Sequence, residues 1–214
     1  MKKLFSVFIV FICLFCLVGC NNNSKYTPYI SQLRSDVFVG EGENYSLQIF
    51  AEQRETPFIN DAVAGEKHNL LTVRVLNCSK PLKVSLYYAK EQLCADAEYN
   101  PHAMSMTATF EVSSFPTDKI EVSVEGEYTE KIECVSKRLA DTISPQTALD
   151  KVLTEKKDFI SSISTNGELK AEIYIRLLVE NDCNFYYIGF GQGSNKITAF
   201  LLDGKTGEII AGKD

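Results

Sequence analysis

Cys94, Asp96, Glu98, Asn100 and His102 stand at every second position of one polar stretch. In an extended chain such residues share a side, and thiolate, carboxylate, amide and imidazole are all metal-ligand types. Same-side neighbours along a strand are spaced ~7 Å apart, however, so five in a row rarely converge on one ion. The stretch therefore reads as an exposed polar loop between strands, with no metal site. His68, the only other histidine, lies in the turn-like Gly65-Glu66-Lys67-His68-Asn69 and reads as a solvated loop residue. Neither histidine has the setting of a catalytic triad. No G-x-S-x-G nucleophile elbow and no H-E-x-x-H zinc helix occurs in the chain.

Gly189, Gly191 and Gly193 resemble a phosphate-binding loop only superficially. Such a loop needs a following helix whose N-terminal amides meet the anion, and here Lys196 opens another strand. The expectation is a non-enzymatic protein with no catalytic residue, no cofactor and no bound metal. The formal charge of −6 argues against a nucleic-acid partner, since phosphates demand clustered basic residues, and the scattered acids read as a solvated surface.

Residues 29–136 alternate with period two in short runs broken by turn residues. Tyr45, Leu47, Ile49 and Ala51 face one way, and Ser46, Gln48 and Glu52 the other. The pattern recurs at Leu71, Val73 and Val75, then at Leu82, Val84, Leu86 and Tyr88. It continues at Met104, Met106, Ala108, Phe110 and Val112, and at Ile120, Val122 and Val124. With a last run over 128–135 and a short edge over 37–39, about seven strands are expected. That count suggests an all-β sandwich, resembling immunoglobulin or fibronectin type III domains in strand number alone. The chain has no tryptophan, so the buried core tryptophan of antibody domains is missing.

Residues 137–143 read as a linker. Ser144-Pro145 then has the form of a helix start, with serine as N-cap and proline at the first helical position. Leu149, Val152, Leu153, Phe159, Ile160 and Ile163 form one apolar stripe, and Asn166-Gly167 ends the helix. Strands follow over 169–179, 184–190, 196–202 and 208–211. The expectation for 144–214 is a small α+β domain with one helix packed on an antiparallel meander. In its first strand Ala171, Ile173, Ile175, Leu177 and Val179 should cover the helix, leaving Glu172, Tyr174 and Arg176 on the far face. The following strands carry apolar groups on both faces, so the far face is expected to be a contact surface. Tyr174, Arg176 and Tyr187 are its candidate partner-binding residues, because Tyr and Arg are enriched at binding hot spots.

Two resemblances add to this reading. Lys2 and Lys3 precede an apolar run over 4–18, which is too short for an ordinary membrane span of ~20 residues. Leu17-Val18-Gly19-Cys20 then resembles the lipobox of bacterial lipoproteins. The resemblance implies a signal peptide over 1–19, cleavage before Cys20, and a diacylglycerol on the Cys20 sulfur. It further implies an extracytoplasmic protein held at the cell membrane, with residues 20–28 as tether. About 195 residues then remain, and these hold Cys78, Cys94, Cys134 and Cys183, read as unpaired thiols.

The segment 197–210 is similar to the end of PepSY-type domains. A strand there runs into Asp203, Thr206, Gly207 and Glu208 in the order D-x-x-T-G-E. Aspartate can bind the forward amides of such a turn, and glycine can take a positive φ. The resemblance implies an exported protein and brings no catalytic residue with it. The expected function is a cell-envelope lipoprotein that binds a protein or peptide partner outside the membrane. The alternative is an inhibitor or regulator of an extracellular peptidase or cell-wall hydrolase.

Overall fold

The computed structural model describes residues 25–59, 61–88, 90–193 and 196–213. The leader and Cys20 lie outside the described residues. After a 3-10 turn at Thr27–Tyr29 come eight strands: β1 (Ile30–Glu41), β2 (Ser46–Glu55), β3 (Lys67–Leu76), β4 (Leu82–Tyr88), β5 (Glu91–Asn100), β6 (Ser105–Glu111), β7 (Lys119–Glu125) and β8 (Thr129–Ser136). They pair antiparallel in the order β1-β2-β3-β6-β5-β4-β7-β8, and β8 pairs back onto β1. The sheet is a closed barrel, not the expected sandwich. The alternating apolar residues point inward, and Leu47, Ile49, Leu71, Val73, Val84, Leu86, Val122 and Val124 pack together as its core. Eight strands enclose a space that side chains can fill, so the barrel needs no ligand inside.

Closure depends on β1. The expected short edge over 37–39 is the middle of this twelve-residue strand. A register shift between Arg34 and Asp36 marks a bulge against β2, and bulges bend a strand. Past the bulge, Phe38 and Val39 pair with Ser136 and Val135 of β8. Gly40 makes the close approach feasible, because a Cβ there would sit 2.6 Å from the Cys134 sulfur and 2.9 Å from the Glu133 carbonyl oxygen.

The polar stretch expected as a loop is strand β5, paired with β4 along seven positions. Cys94, Asp96 and Glu98 face solvent, while Leu93, Ala95 and Ala97 pack on the core. Its inner side is mostly alanine, so the apolar half of the alternation was too weak to stand out.

Ser144 caps α1 (Pro145–Glu155) by accepting the Thr147 N–H at 3.0 Å. The helical stretch breaks at Lys156, and α2 (Lys157–Ser162) follows, so the expected single helix is two. The strands β9 (Ser164–Thr165) and β10 (Glu168–Leu169) form a small hairpin through Asn166 and Gly167. Then come β11 (Glu172–Glu180), β12 (Cys183–Gly191), β13 (Ile197–Asp203) and β14 (Ile209–Lys213), each paired with the next. Ala148, Leu149, Val152 and Ile160 of the helices pack on Ala171, Ile173, Ile175, Leu177, Ile188 and Phe200. At the Asp203 turn, the Oδ1 atom accepts the N–H groups of Lys205 at 3.0 Å and Thr206 at 2.7 Å, and Gly207 has φ +72°.

These strands do not form a sheet of their own. The first half of β1 pairs parallel with β11, placing Gln32 opposite Tyr174 and Arg34 opposite Arg176. One twelve-stranded sheet therefore runs from β14 through β1 and around the barrel. Residues 137–143 are held by both parts. Arg138 donates to the carbonyls of Ser35 and Ile143, and Leu139 N–H donates to Asn184 Oδ1.

Candidate anion-binding site

The strand period that sends apolar residues into the barrel sends their neighbours outward. Phe50, Glu52 and Arg54 leave β2 on the outer face, as do Thr72 and Arg74 from β3. On β11, Ile173, Ile175 and Leu177 lie under the helices, so Tyr174 and Arg176 take the opposite face. The β1–β11 register makes these two faces continuous. A cleft of about 260 Å³ opens there. It is lined by Gln32, Arg34, Phe50, Glu52, Arg54, Thr72, Arg74 and Arg176, together with Phe58, Asn100, Thr107 and Thr109.

The chain has seventeen lysines and five arginines, and four of the five arginines line this cleft. No lysine does. Glu52, 2 % exposed, is the one carboxylate among the lining residues. Its Oε2 accepts from Gln32 Nε2 at 2.7 Å and its Oε1 from the Thr72 hydroxyl at 3.1 Å. Arg34 and Arg54 stand off at 3.5 and 3.6 Å, near enough for charge attraction but beyond good hydrogen-bond length. Gln32 passes the contact on by accepting from Arg176 Nε at 2.7 Å through its own Oε1. The guanidinium carbons of Arg34 and Arg74 lie 3.6 and 4.6 Å from the Phe50 ring centroid. That of Arg176 lies 5.5 Å from the Tyr187 ring.

The lining thus carries a formal surplus of three positive charges in a chain whose total is −6. Burial pushes the Arg34 guanidinium down to about 10; Glu52 draws it back up, while Arg176 and Arg74 push it further down. Arg34 stays charged at neutral pH. Arg74 is lowered by burial as well. The Nε atoms of Arg34, Arg54 and Arg74 are buried with no hydrogen-bond partner in the protein, as is the Thr107 hydroxyl.

The register brings Tyr174, Arg176 and Tyr187 together, with Arg176 opposite Tyr187. Only Arg176 lines the cleft. Tyr174 is no surface residue: it is 1 % exposed, under Phe58 at 5.8 Å between ring centroids. Its hydroxyl donates to Glu172 Oε2 at 3.1 Å, and the other oxygen of Glu172 accepts the N–H groups of Asp61 and Ala62. The β2–β3 loop is thereby tied down over this face. Tyr187 is half-buried. Gln32, Arg34, Phe50, Glu52, Arg54 and Arg74 escaped the sequence reading, although arginine is scarce here and both Arg54 and Arg74 fall on outward strand positions.

No family model, no curated protein and no solved structure matches this chain. The remaining candidates have other roles. His68 is not a loop residue but part of β3, paired with Glu111 at 2.9 Å, a hydrogen bond that raises the imidazole above its usual range. Among the described residues no three His, Cys, Asp or Glu side chains gather as metal ligands, and no helix is long and apolar enough to cross a membrane. Cys78, Cys94, Cys134 and Cys183 are unpaired.

Proposed function

We propose that this chain is a lipid-anchored, non-enzymatic binding module of the cell envelope. It binds a protein or peptide on the face shared by the barrel and β11, with an acidic group of the partner seated in the arginine cleft. One observation carries the reading: four of five arginines, drawn from four positions far apart in sequence, converge around a single carboxylate. Arginine's planar fork suits carboxylate and phosphate better than lysine's point charge. The cleft offers donors and no free base, since Glu52 is occupied by Gln32 and Thr72. That composition suits holding a ligand rather than transforming one. Anchoring rests on the lipobox-like Leu17-Val18-Gly19-Cys20, and the Asp203 turn supports a PepSY-like C-terminal segment.

Affinity capture from native membranes tests the proposal, with the wild-type protein and an Arg74→Glu/Arg176→Glu variant as parallel baits. A partner held by the first and lost by the second, at unchanged bait melting temperature, is the expected result. Equal capture by both baits would overturn the assignment of the face. A captured hydrolase that loses activity when bound would move the reading to an inhibitor.

A further inference from the structure

We infer that the arginine cleft is selective for a doubly charged oxyanion, phosphate or a paired carboxylate, over singly charged anions. The inference rests on the proposed binding face and names the chemistry of the group it takes. Every unengaged polar group facing the cleft is a hydrogen-bond donor or a hydroxyl. The guanidinium groups accept nothing, and Arg34 and Arg54 come only to 3.5 and 3.6 Å from the Glu52 carboxylate. The one acceptor of full charge, Glu52, is already engaged by Gln32 and Thr72. A ligand must therefore bring its own acceptors.

Charge sets how many. Four guanidiniums against one carboxylate leave three positive charges around a cleft of about 260 Å³. A monoanion leaves two of them facing each other in a partly dry space, whereas a dianion leaves one. The arginines are also held for the task. Arg34 and Arg74 rest against Phe50, and Arg176 is fixed through Gln32, so their forks lose little freedom on binding. Glu52 neutralises without saturating, because its 3.5 and 3.6 Å separations leave the Arg34 and Arg54 N–H groups available to a closer partner.

The test uses the purified full-length protein in neutral detergent at pH 8, with calorimetric titration of inorganic phosphate, succinate, acetate and chloride at constant ionic strength. Phosphate or succinate should bind about tenfold or more tighter than acetate. Preference for phosphate marks a phosphate ester as the natural group, and preference for succinate marks neighbouring carboxylates of an acidic peptide. Arg74→Met and Arg176→Met, each checked for an unchanged circular dichroism spectrum, should weaken dianion binding about ten- to a hundredfold. Dianions binding no better than acetate, or dianion binding untouched by both variants, would overturn the inference. Its failure is separable from that of the binding-module reading. If dianions bind but membrane capture ignores the cleft, the partner reading fails alone; if capture needs the cleft and acetate competes as well as phosphate, selectivity fails alone.

Discussion

The Arg34 guanidinium carbon lies 3.6 Å from the centroid of the Phe50 ring, the closest of the arginine–aromatic contacts around the cleft. Arg74 reaches the same ring from the strand on the other side of β2. One ring thus stands against two like charges and offsets part of their repulsion, each contact being worth ~0.5–2 kcal/mol. The buried carboxylate of Glu52 offsets one of the four positive charges around the cleft.

Removing that carboxylate is the sharpest perturbation of the cleft. Glu52→Gln keeps the shape but leaves the arginines uncompensated, and breaking a buried ion pair in this way costs ~3–5 kcal/mol. Chemical denaturation should show that loss in chloride and a smaller loss in phosphate buffer, where an anion can take the place of the carboxylate. Equal stability of wild type and variant in chloride would show that Glu52 does not balance the cluster.

Barrel closure at β1–β8 should depend on Gly40. Its hydrogen faces the Cys134 sulfur and the Ile132 methyl, with an added Cβ only 2.6 and 2.7 Å from them. Gly40→Ala should therefore destabilise the protein by ~1–3 kcal/mol through overpacking. Unfolding curves check this, and amide exchange should be fastest in β1 and β8.

His68 should titrate above 6.5, because its hydrogen bond to Glu111 favours the charged imidazole. A base raised in the folded state adds stability that is fully present below its unfolded value of 6.5. That stability is lost as pH rises through the folded value. Proton NMR should follow the imidazole, and Glu111→Gln should return it toward 6.5 without displacing the fold.

The four described thiols should differ sharply in reactivity. Cys94 and Cys183 are exposed, whereas Cys134 is fully buried in the barrel and its thiol is pushed up to about 12 by burial. The thiolate is the reacting form, so a thiol reagent should label Cys94 and Cys183 in the native protein and Cys134 only on unfolding. Mass spectrometry of labelled peptides reads this directly. Native labelling of Cys134 at the rate of Cys94 would contradict the closed barrel.

Cys20 carries the anchoring proposal. Cys20→Ala should block lipid attachment and leave an uncut precursor, visible as a larger band on a gel. Recovery of a processed, membrane-retained Cys20→Ala protein would remove the lipoprotein reading.

Local chemistry was legible in the sequence wherever it depends on neighbours a few positions apart. Ser144 does cap a helix, Asp203 does bind the amides ahead of it, and Ile173, Ile175 and Leu177 do lie beneath the helices. The period of two told which side each residue of a strand takes. It did not tell which strand lies alongside. That is why a sandwich was expected and a barrel is found: inward alternation is the same in both, and only the β1–β8 pairing separates them.

The cleft shows the same division. Alternation alone puts Glu52, Arg54 and Arg74 outward, and inspection of the sequence shows arginine to be rare. Their meeting with Arg34 and Arg176 needs three long-range registers, β1 with β2, β2 with β3, and β1 parallel with β11. Those registers are chosen by the packing of the whole barrel core and by the bulge in β1, and no short window of the chain contains either. Side-chain direction is a property of the strand, while side-chain company is a property of the closed sheet.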